Sequence, residues 1–130
     1  MADMNLRILI ADDNVDTLLT LRMLLEEDGH HVRTLDNGGA VVPAVEEFEP
    51  NVCILDIEMP GASGHAIAAE LRGIYRSERP FMIAISGKWY SASDRLVAMG
   101  AGFDHFLEKP ADPRELAYLL DGVSQRMAAA

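Results

Sequence analysis

The sequence predicts an α/β fold in which a five-stranded parallel sheet carries helices on both faces. Two observations support this prediction. Short apolar runs without polar alternation, such as residues 51–55 and 81–85, are typical of strands buried on both faces. Segments in which apolar residues recur every three or four positions follow the strands, and this is the helical period. Five such repeats predict a doubly wound sheet, for which right-handed crossovers favour the strand order 2-1-3-4-5.

The predicted strands are short, and the third and fourth are apolar throughout. The five strands are predicted at residues 7–11, 31–35, 51–55, 81–85 and 105–107. Their spacing along the chain leaves room for one helix after each strand. The chain therefore alternates regularly between the two kinds of element, as a doubly wound sheet requires.

The predicted helices are bounded by recognisable start and stop residues. The first runs from residue 14 to about 27 and ends at Gly29, and the second spans residues 40–48 with Pro43 in its first turn. The fourth stops near residue 99, where Gly100 begins a break, and the fifth starts at Pro113 after an Asp112 cap. Apolar residues that we expect on the inner faces of the first and third helices are Val15, Leu18, Leu21, Leu25, Ile67, Leu71, Ile74 and Tyr75.

Length and charge exclude several classes of protein. A chain of 130 residues is expected to form a single domain, with its core between about residues 6 and 126. A net charge of −10 disfavours direct contact with nucleic acid or an anionic membrane. No apolar run approaches the roughly 18 residues needed to span a bilayer, and no signal-like segment opens the chain. We therefore expect a cytoplasmic domain without nucleic-acid or membrane partners.

Polar side chains stand at the predicted ends of four strands. Asp12 and Asp13 follow the first strand, Asp56 follows the third, Ser86 follows the fourth and Lys109 closely follows the fifth. The carboxyl ends of parallel strands lie at one edge of the sheet, where ligands collect near the switch in strand order. The sequence therefore predicts a site built from three carboxylates, one hydroxyl and one ammonium group.

The three carboxylates indicate a metal site. Clustered acids repel one another and raise one another's pKa, and a hard dication such as Mg²⁺ relieves that repulsion through oxygen ligands. The competing interpretation is that Asp12 or Asp13 simply caps the first helix. That role would explain one acid of the pair, but not two adjacent acids facing Asp56.

The hydroxyl and ammonium groups indicate a phosphoryl group as the second ligand. A phosphoryl group carries about two negative charges and three acceptor oxygens. Lys109 supplies a positive charge and Ser86 a hydrogen-bond donor. Asp56 is the predicted nucleophile, because it leaves the central strand and is followed by a loop rich in Pro and Gly. Charge stabilisation and positioning would then carry most of the transfer to Asp56.

Four motifs, in this order and spacing, resemble the receiver domain of two-component response regulators. They are Asp12-Asp13, residues 55–60 (LDIEMP) with Gly64, residues 85–87 (ISG) and residues 106–110 (FLEKP). The likeness covers nearly the whole chain and implies the flavodoxin-like receiver fold. Residues 101–110 are similar to a variant found in receivers attached to hybrid histidine kinases.

The resemblance implies a set of roles. Asp56 would accept a phosphoryl group from a phosphohistidine on a histidine kinase or a histidine phosphotransfer protein. Asp13, Asp56 and the backbone carbonyl of Glu58 would bind Mg²⁺, or Mn²⁺ in its place, and Asp12 would assist through water. The chain would be a signalling switch and not an enzyme, since it would catalyse only its own phosphorylation and dephosphorylation.

The resemblance also implies how the signal leaves the site. Ser86 would move toward the phosphoryl group and Phe106 would change rotamer, altering the face formed by helix 4, strand 5 and helix 5. That face would serve a downstream protein partner or a second copy of the chain, so a homodimer stays an open alternative. Phe106 replaces the usual Tyr and Ser86 the usual Thr, and Phe106 is equally interpretable as a core residue. Glu58 and Lys88 flank the expected phosphoryl position, either as a surface ion pair or as residues that tune phosphoryl lifetime.

Three rival functions are less well supported. A phosphohydrolase of the haloacid dehalogenase type needs a second Asp two residues after the nucleophile, where this chain has Glu58. A flavodoxin-like cofactor carrier needs a phosphate-binding loop after the first strand, where Asp12 and Asp13 would repel phosphate. A degenerate receiver that serves only as a scaffold would not need the complete set of acids, hydroxyl and lysine.

Overall fold

A computed structural model describes residues 5–76, 79–87 and 92–129. Its five strands form one parallel sheet in the order β2-β1-β3-β4-β5. This order confirms the predicted doubly wound topology and places β1 and β3 side by side at the centre. The strands are β1 (Arg7–Ala11), β2 (His31–Leu35), β3 (Val52–Asp56), β4 (Phe81–Ser86) and β5 (His105–Glu108).

Helices cover both faces of the sheet and enclose a separate apolar cluster on each. They are α1 (Val15–Glu27), α2 (Val41–Phe48), α3 (Gly64–Tyr75), α4 (Ala92–Ala101) and α5 (Pro113–Ala129), with one short 3₁₀ turn at Gly38–Ala40. Helices α1 and α5 pack on one face, and α2, α3 and α4 pack on the other. Successive residues of a strand contribute to opposite clusters, for example Ile8 and Leu9 of β1. Every residue of β3 is buried, as expected for a central parallel strand.

Two apolar residues that we expected on inner helix faces lie outside. Val15 is 60% exposed and Ile74 is 51% exposed. Val15 is the first residue of α1, and Ile74 lies in the last turn of α3, where the neighbouring Tyr75 packs against the core instead. The helical period was therefore correct, but these two positions near helix ends lie at the margin of the covered face.

The helix caps differ from the prediction at two places. Neither Asp12 nor Asp13 caps α1, because Asn14 takes that position and accepts a hydrogen bond from Thr17 N at 3.1 Å. Helix α4 continues through Gly100, and the chain turns only at Gly102, whose φ is +124°. A single helical glycine costs about 1 kcal/mol and is tolerated, whereas a positive φ needs glycine. Asp12 Oδ1 accepts a hydrogen bond from Asn14 N at 2.8 Å, and its other oxygen and Asp13 stay available for other contacts.

Within the described residues, no helix combines the length and apolar character needed to cross a membrane.

Candidate functional site

Three aspartates meet at the carboxyl edge of the central strands. Ala11 of β1 is aligned with Leu55 of β3, so the residues that follow them are neighbours in space. One carboxylate oxygen from each of Asp12, Asp13 and Asp56 lies within 4.8 Å of the others. Asp12 is fully buried and Asp56 is 4% exposed, while Asp13 opens to solvent. The predicted acid cluster is present, with one member accessible from outside.

The backbone around Asp56 holds its carboxylate in place. Glu58 N donates a hydrogen bond to Asp56 Oδ1 at 3.2 Å. Ile57 N donates to Ile85 O of β4 at 3.1 Å, and Gly64 N donates to Ile57 O at 2.8 Å. The loop therefore leaves β3 while still tied to the sheet and to the start of α3. These bonds orient the carboxylate without neutralising its charge.

Lys109 faces two of the three acids. Its Nζ lies 2.6 Å from Asp12 Oδ2 and 3.2 Å from Asp56 Oδ2, and its side chain is only 18% exposed. Lys109 N donates to Ser86 O at 2.8 Å, which joins the segment after β5 to the end of β4. The ammonium group is thus positioned by the edge of the sheet and is not a free surface charge.

The charges of this cluster do not balance. Burial and the neighbouring Asp12 raise the pKa of Asp56 to about 6, although the Glu58 N–H and Lys109 act in the opposite direction. Burial lowers the pKa of Lys109, but its contacts with Asp12 and Asp56 outweigh that effect and leave it raised. Among the described residues, one ammonium group thus contacts two of the three clustered carboxylates, and the site favours an added cation.

The donor atoms fit a hard divalent cation. The buried Asp12 Oδ2 makes no hydrogen bond within the described part of the chain, although Lys109 Nζ lies 2.6 Å away. All three candidate ligands are carboxylates, the type that Mg²⁺ and Mn²⁺ bind, and the exposed Asp13 leaves room for water ligands. The predicted metal site is therefore compatible with the structure.

The predicted switch residues lie next to this cluster. Ser86 is the last residue of β4, is 1% exposed and is aligned with Glu108 of β5. Phe106 is 7% exposed and packs in the cluster beneath α3 and α4, so its ring points into the core. This position agrees with a core role and with the inward state of a switch. Glu58 is exposed, whereas Lys88 lies outside the described residues, so their predicted interaction stays a prediction.

Arg95 of α4 is a contact of Phe106 that the sequence did not reveal. Its guanidinium carbon lies 4.8 Å above the centre of the Phe106 ring, and its Nη2 lies 2.7 Å from Glu108 Oε1. Such a cation–π contact needs a particular approach of α4 to β5. The charge pattern of α4 alone contains no signal for it, because the two elements are joined only in the folded state.

Known proteins resemble this chain in fold and, over most of its length, in sequence. The receiver domain of the Francisella response regulator 1452 aligns with a TM-score of 0.85 at 22% identity, covering 95% of this chain and 99% of that one. An uncharacterized 14.6 kDa protein from Leptolyngbya boryana is 32% identical over 113 residues, which are 87% of this chain and 86% of the relative. The first likeness supports the fold, and the second spans most of both sequences.

Larger relatives contain a matching segment. The sensor histidine kinase GacS of Pseudomonas protegens is 32% identical over 117 residues, or 88% of this chain and 13% of GacS. The aerobic respiration control protein ArcA of Escherichia coli is 30% identical over 109 residues, or 84% of this chain and 44% of ArcA. This chain thus spans less than half of either relative.

The model of one protein family matches most of the chain. It is described as the response regulator receiver domain, and it matches residues 8–121. This range includes the three aspartates of the cluster and Lys109. The chain therefore belongs to the receiver domain family of two-component response regulators.

Proposed function

We propose that this receiver domain accepts a phosphoryl group on Asp56 with the help of a divalent cation. The observation that carries the proposal is the contact of a buried, backbone-oriented Asp56 with both a surplus of carboxylates and Lys109. A surplus of acid attracts Mg²⁺ or Mn²⁺, and the metal and Lys109 together would stabilise a phosphoryl group bearing about two negative charges.

The residues of the chain have separate tasks in the transfer. An oxygen of Asp56 attacks phosphorus, the P–N bond of a phosphohistidine breaks, and its electron pair stays with the imidazole of the donor. The product is an acyl phosphate on Asp56, to which Lys109 offers positive charge and the Ser86 hydroxyl a hydrogen bond. Mg²⁺, held by Asp13, Asp56 and the Glu58 carbonyl with Asp12 assisting through water, would neutralise phosphoryl charge.

The proposed partners follow from this chemistry. The donor would be a histidine kinase or a histidine phosphotransfer protein. GacS, by its name a sensor histidine kinase, contains a segment similar to this chain, which supports a donor of that kind. The domain would act as a cytoplasmic switch that catalyses only its own phosphorylation and dephosphorylation.

The proposed output lies on the face formed by α4, β5 and α5. Ser86 ends the strand next to β5, and Lys109 N is bonded to the Ser86 carbonyl, so a shift at Ser86 reaches β5 directly. Phe106 and its Arg95 contact then connect β5 to α4. This face would bind a downstream protein, with a second copy of the chain as the alternative.

Intact-mass measurement tests the phosphoacceptor assignment. We expect the wild-type protein to gain one phosphoryl group after incubation with acetyl phosphate and Mg²⁺, and little when EDTA replaces the metal. Asp56→Asn should lose the gain because it lacks the nucleophilic oxygen. Asp121→Asn, which changes an exposed acid of α5, is the matched control and should label normally. Labelling of Asp56→Asn at the wild-type level would refute the assignment.

A further inference from the structure

The loop that follows Asp56 is held by a second loop of the same sheet edge. Gly38 lies in the turn between β2 and α2, is buried, and donates its N–H to Pro60 O at 2.9 Å. Asn37 caps that turn, because its side-chain oxygen accepts a hydrogen bond from Gly39 N at 2.7 Å. The turn therefore presents a rigid backbone donor to the middle of the β3–α3 loop.

The two loops meet at a distance that leaves no room for side chains. A Cβ atom on Gly38 would collide with the Ala62 carbonyl oxygen, and one on Gly61 would collide with the side-chain oxygen of Asn37. Gly61 also has a φ of +94°, which side-chain-bearing residues rarely adopt. Backbone contact on this scale fixes the position of residues 60–62 relative to the turn.

The contact reaches Asp56 through two more residues of the loop. Pro60, which accepts from Gly38, lies two residues beyond Glu58, whose N–H donates to Asp56 Oδ1 at 3.2 Å. The start of the loop is fixed independently, since Ile57 bonds to both Ile85 and Gly64. Glu58 thus lies in the short span between two anchored residues, Ile57 and Pro60. The position of Pro60 therefore helps to set the orientation of the Glu58 backbone.

We infer that Asn37 and Gly38 are positioning residues for the metal site. They act through Pro60 to hold the Glu58 backbone, which orients one oxygen of Asp56. The inference rests on the metal-binding part of the proposed function and adds to it a turn that contributes no ligand. Groups that hydrogen-bond directly to a metal ligand commonly change metal affinity by about 10–100-fold when removed, and Gly38 acts one step further out, so we expect an effect at the lower end of that range.

Calorimetric titration of the purified protein with MgCl₂ tests the inference. In Gly38→Ala the added methyl group should push residues 60–62 away and raise the Mg²⁺ dissociation constant about 10-fold. Asn37→Ala, which keeps the backbone hydrogen bond of Gly38, should raise it about 2–3-fold, below that range. Gly73→Ala is the matched control, because nothing lies within 4 Å of a Cβ at this exposed position of α3. It should bind Mg²⁺ as the wild type does.

Denaturant unfolding in EDTA separates positioning from mere structural support. A purely structural turn would lower the free energy of unfolding of Gly38→Ala while leaving the Mg²⁺ dissociation constant of the folded variant at the wild-type value, and that result would overturn the inference. If Gly38→Ala does not fold, the titration of Asn37→Ala decides the question. A wild-type Mg²⁺ dissociation constant in Asn37→Ala would overturn the inference equally. Wild-type protein that binds Mg²⁺ but is not labelled by acetyl phosphate would contradict the phosphoacceptor proposal alone.

Discussion

Aspartate side chains have opposite surroundings at the two edges of the sheet. At the amino edge, Asp104 Oδ2 accepts hydrogen bonds from Met82 N at 2.8 Å and from Arg72 Nη2 at 2.5 Å. Arg72 also donates to the carbonyl groups of Gly102 and Pro80. At the carboxyl edge, three aspartates lie together, and among the described residues one lysine contacts two of them. The first arrangement is balanced in charge, whereas the second keeps an excess of negative charge despite its hydrogen bonds.

This difference separates structural from functional charge. A carboxylate that binds a largely buried arginine and a backbone donor joins elements that are distant in sequence, here α3 and the segment before β5. Like charges gathered without full compensation destabilise the fold, and such groups cluster at functional sites. We therefore expect substitutions at the amino edge to change stability, and substitutions at the carboxyl edge to change metal binding.

The largest expected effect is on metal affinity at the carboxyl edge. Asp13→Asn removes one carboxylate of the cluster and should raise the Mg²⁺ dissociation constant by at least the roughly 10–100-fold known for outer-sphere groups. Calorimetric titration measures this change, with Asp121→Asn as the exposed control. In EDTA the variant should be no less stable than the wild type, because repulsion among the acids is relieved. A loss of stability without a loss of Mg²⁺ affinity would show that Asp13 supports the fold and not metal binding.

At the amino edge, Arg72→Met should have the opposite profile. It removes the cation beside Asp104 and the donor to two carbonyl groups, while Met82 N still donates to Asp104, and it should lower the free energy of unfolding by about 2 kcal/mol, as expected for charged hydrogen bonds. Urea denaturation measures this loss. The Mg²⁺ dissociation constant of the folded variant should equal that of the wild type. A weakened metal site in Arg72→Met would show that the two edges are coupled.

The raised pKa of Asp56 predicts a pH dependence of stability in EDTA. An acid whose pKa is about 6 in the folded state and 3.8 in the unfolded state binds more protons when folded, so its contribution falls as pH rises from about 4 to 6. Asp56→Asn has no titrating group at this position and therefore lacks this pH-dependent loss of stability. Its stability relative to wild type should therefore increase by on the order of 1–3 kcal/mol between pH 4 and pH 7. A difference that does not change with pH would contradict the raised pKa, and saturating Mg²⁺ should reduce the difference.

The smallest effect is expected for an exposed ion pair. Arg22 Nε lies 3.2 Å from Glu26 Oε2 on the outer surface of α1, where both side chains are about half exposed. Arg22→Gln should lower the free energy of unfolding by no more than about 0.5 kcal/mol, since solvent screens such pairs. Urea denaturation beside Arg72→Met makes the comparison direct. An equal loss in both variants would show that burial and backbone contacts add nothing to the pair at the amino edge.

Sequence patterns predicted the strands well because each depends on its own residues. The apolar run of β3 that precedes Asp56 required cover on both faces, and the structure buries all of it. The convergence of Asp12, Asp13 and Asp56 followed from the strand order, since parallel strands end at a common edge. The helix ends were less predictable. The exposure of Val15 depends on how the start of α1 packs, and the capping role of Asn14 depends on which polar side chain reaches the first turn of α1.

Contacts between distant segments could not be predicted from the sequence. No local pattern connects Arg95 to Phe106, which lie in different elements, or Gly38 to Pro60, between which α2 and β3 intervene. The small size of Gly38 lets two backbones touch. Close approach of this kind has no periodicity and no characteristic composition.

The order of apolar and polar residues alone thus determined the layers, the strand order and the edge at which the acids gather, because unbroken apolar runs mark strands buried on both faces and a recurrence every three or four residues marks helices. Tertiary structure alone decided how far each acid is buried, that Lys109 contacts Asp12 and Asp56, and that the Asn37–Gly38 turn holds the loop beside them. Those properties depend on distances between segments that the chain brings together only once its core has packed.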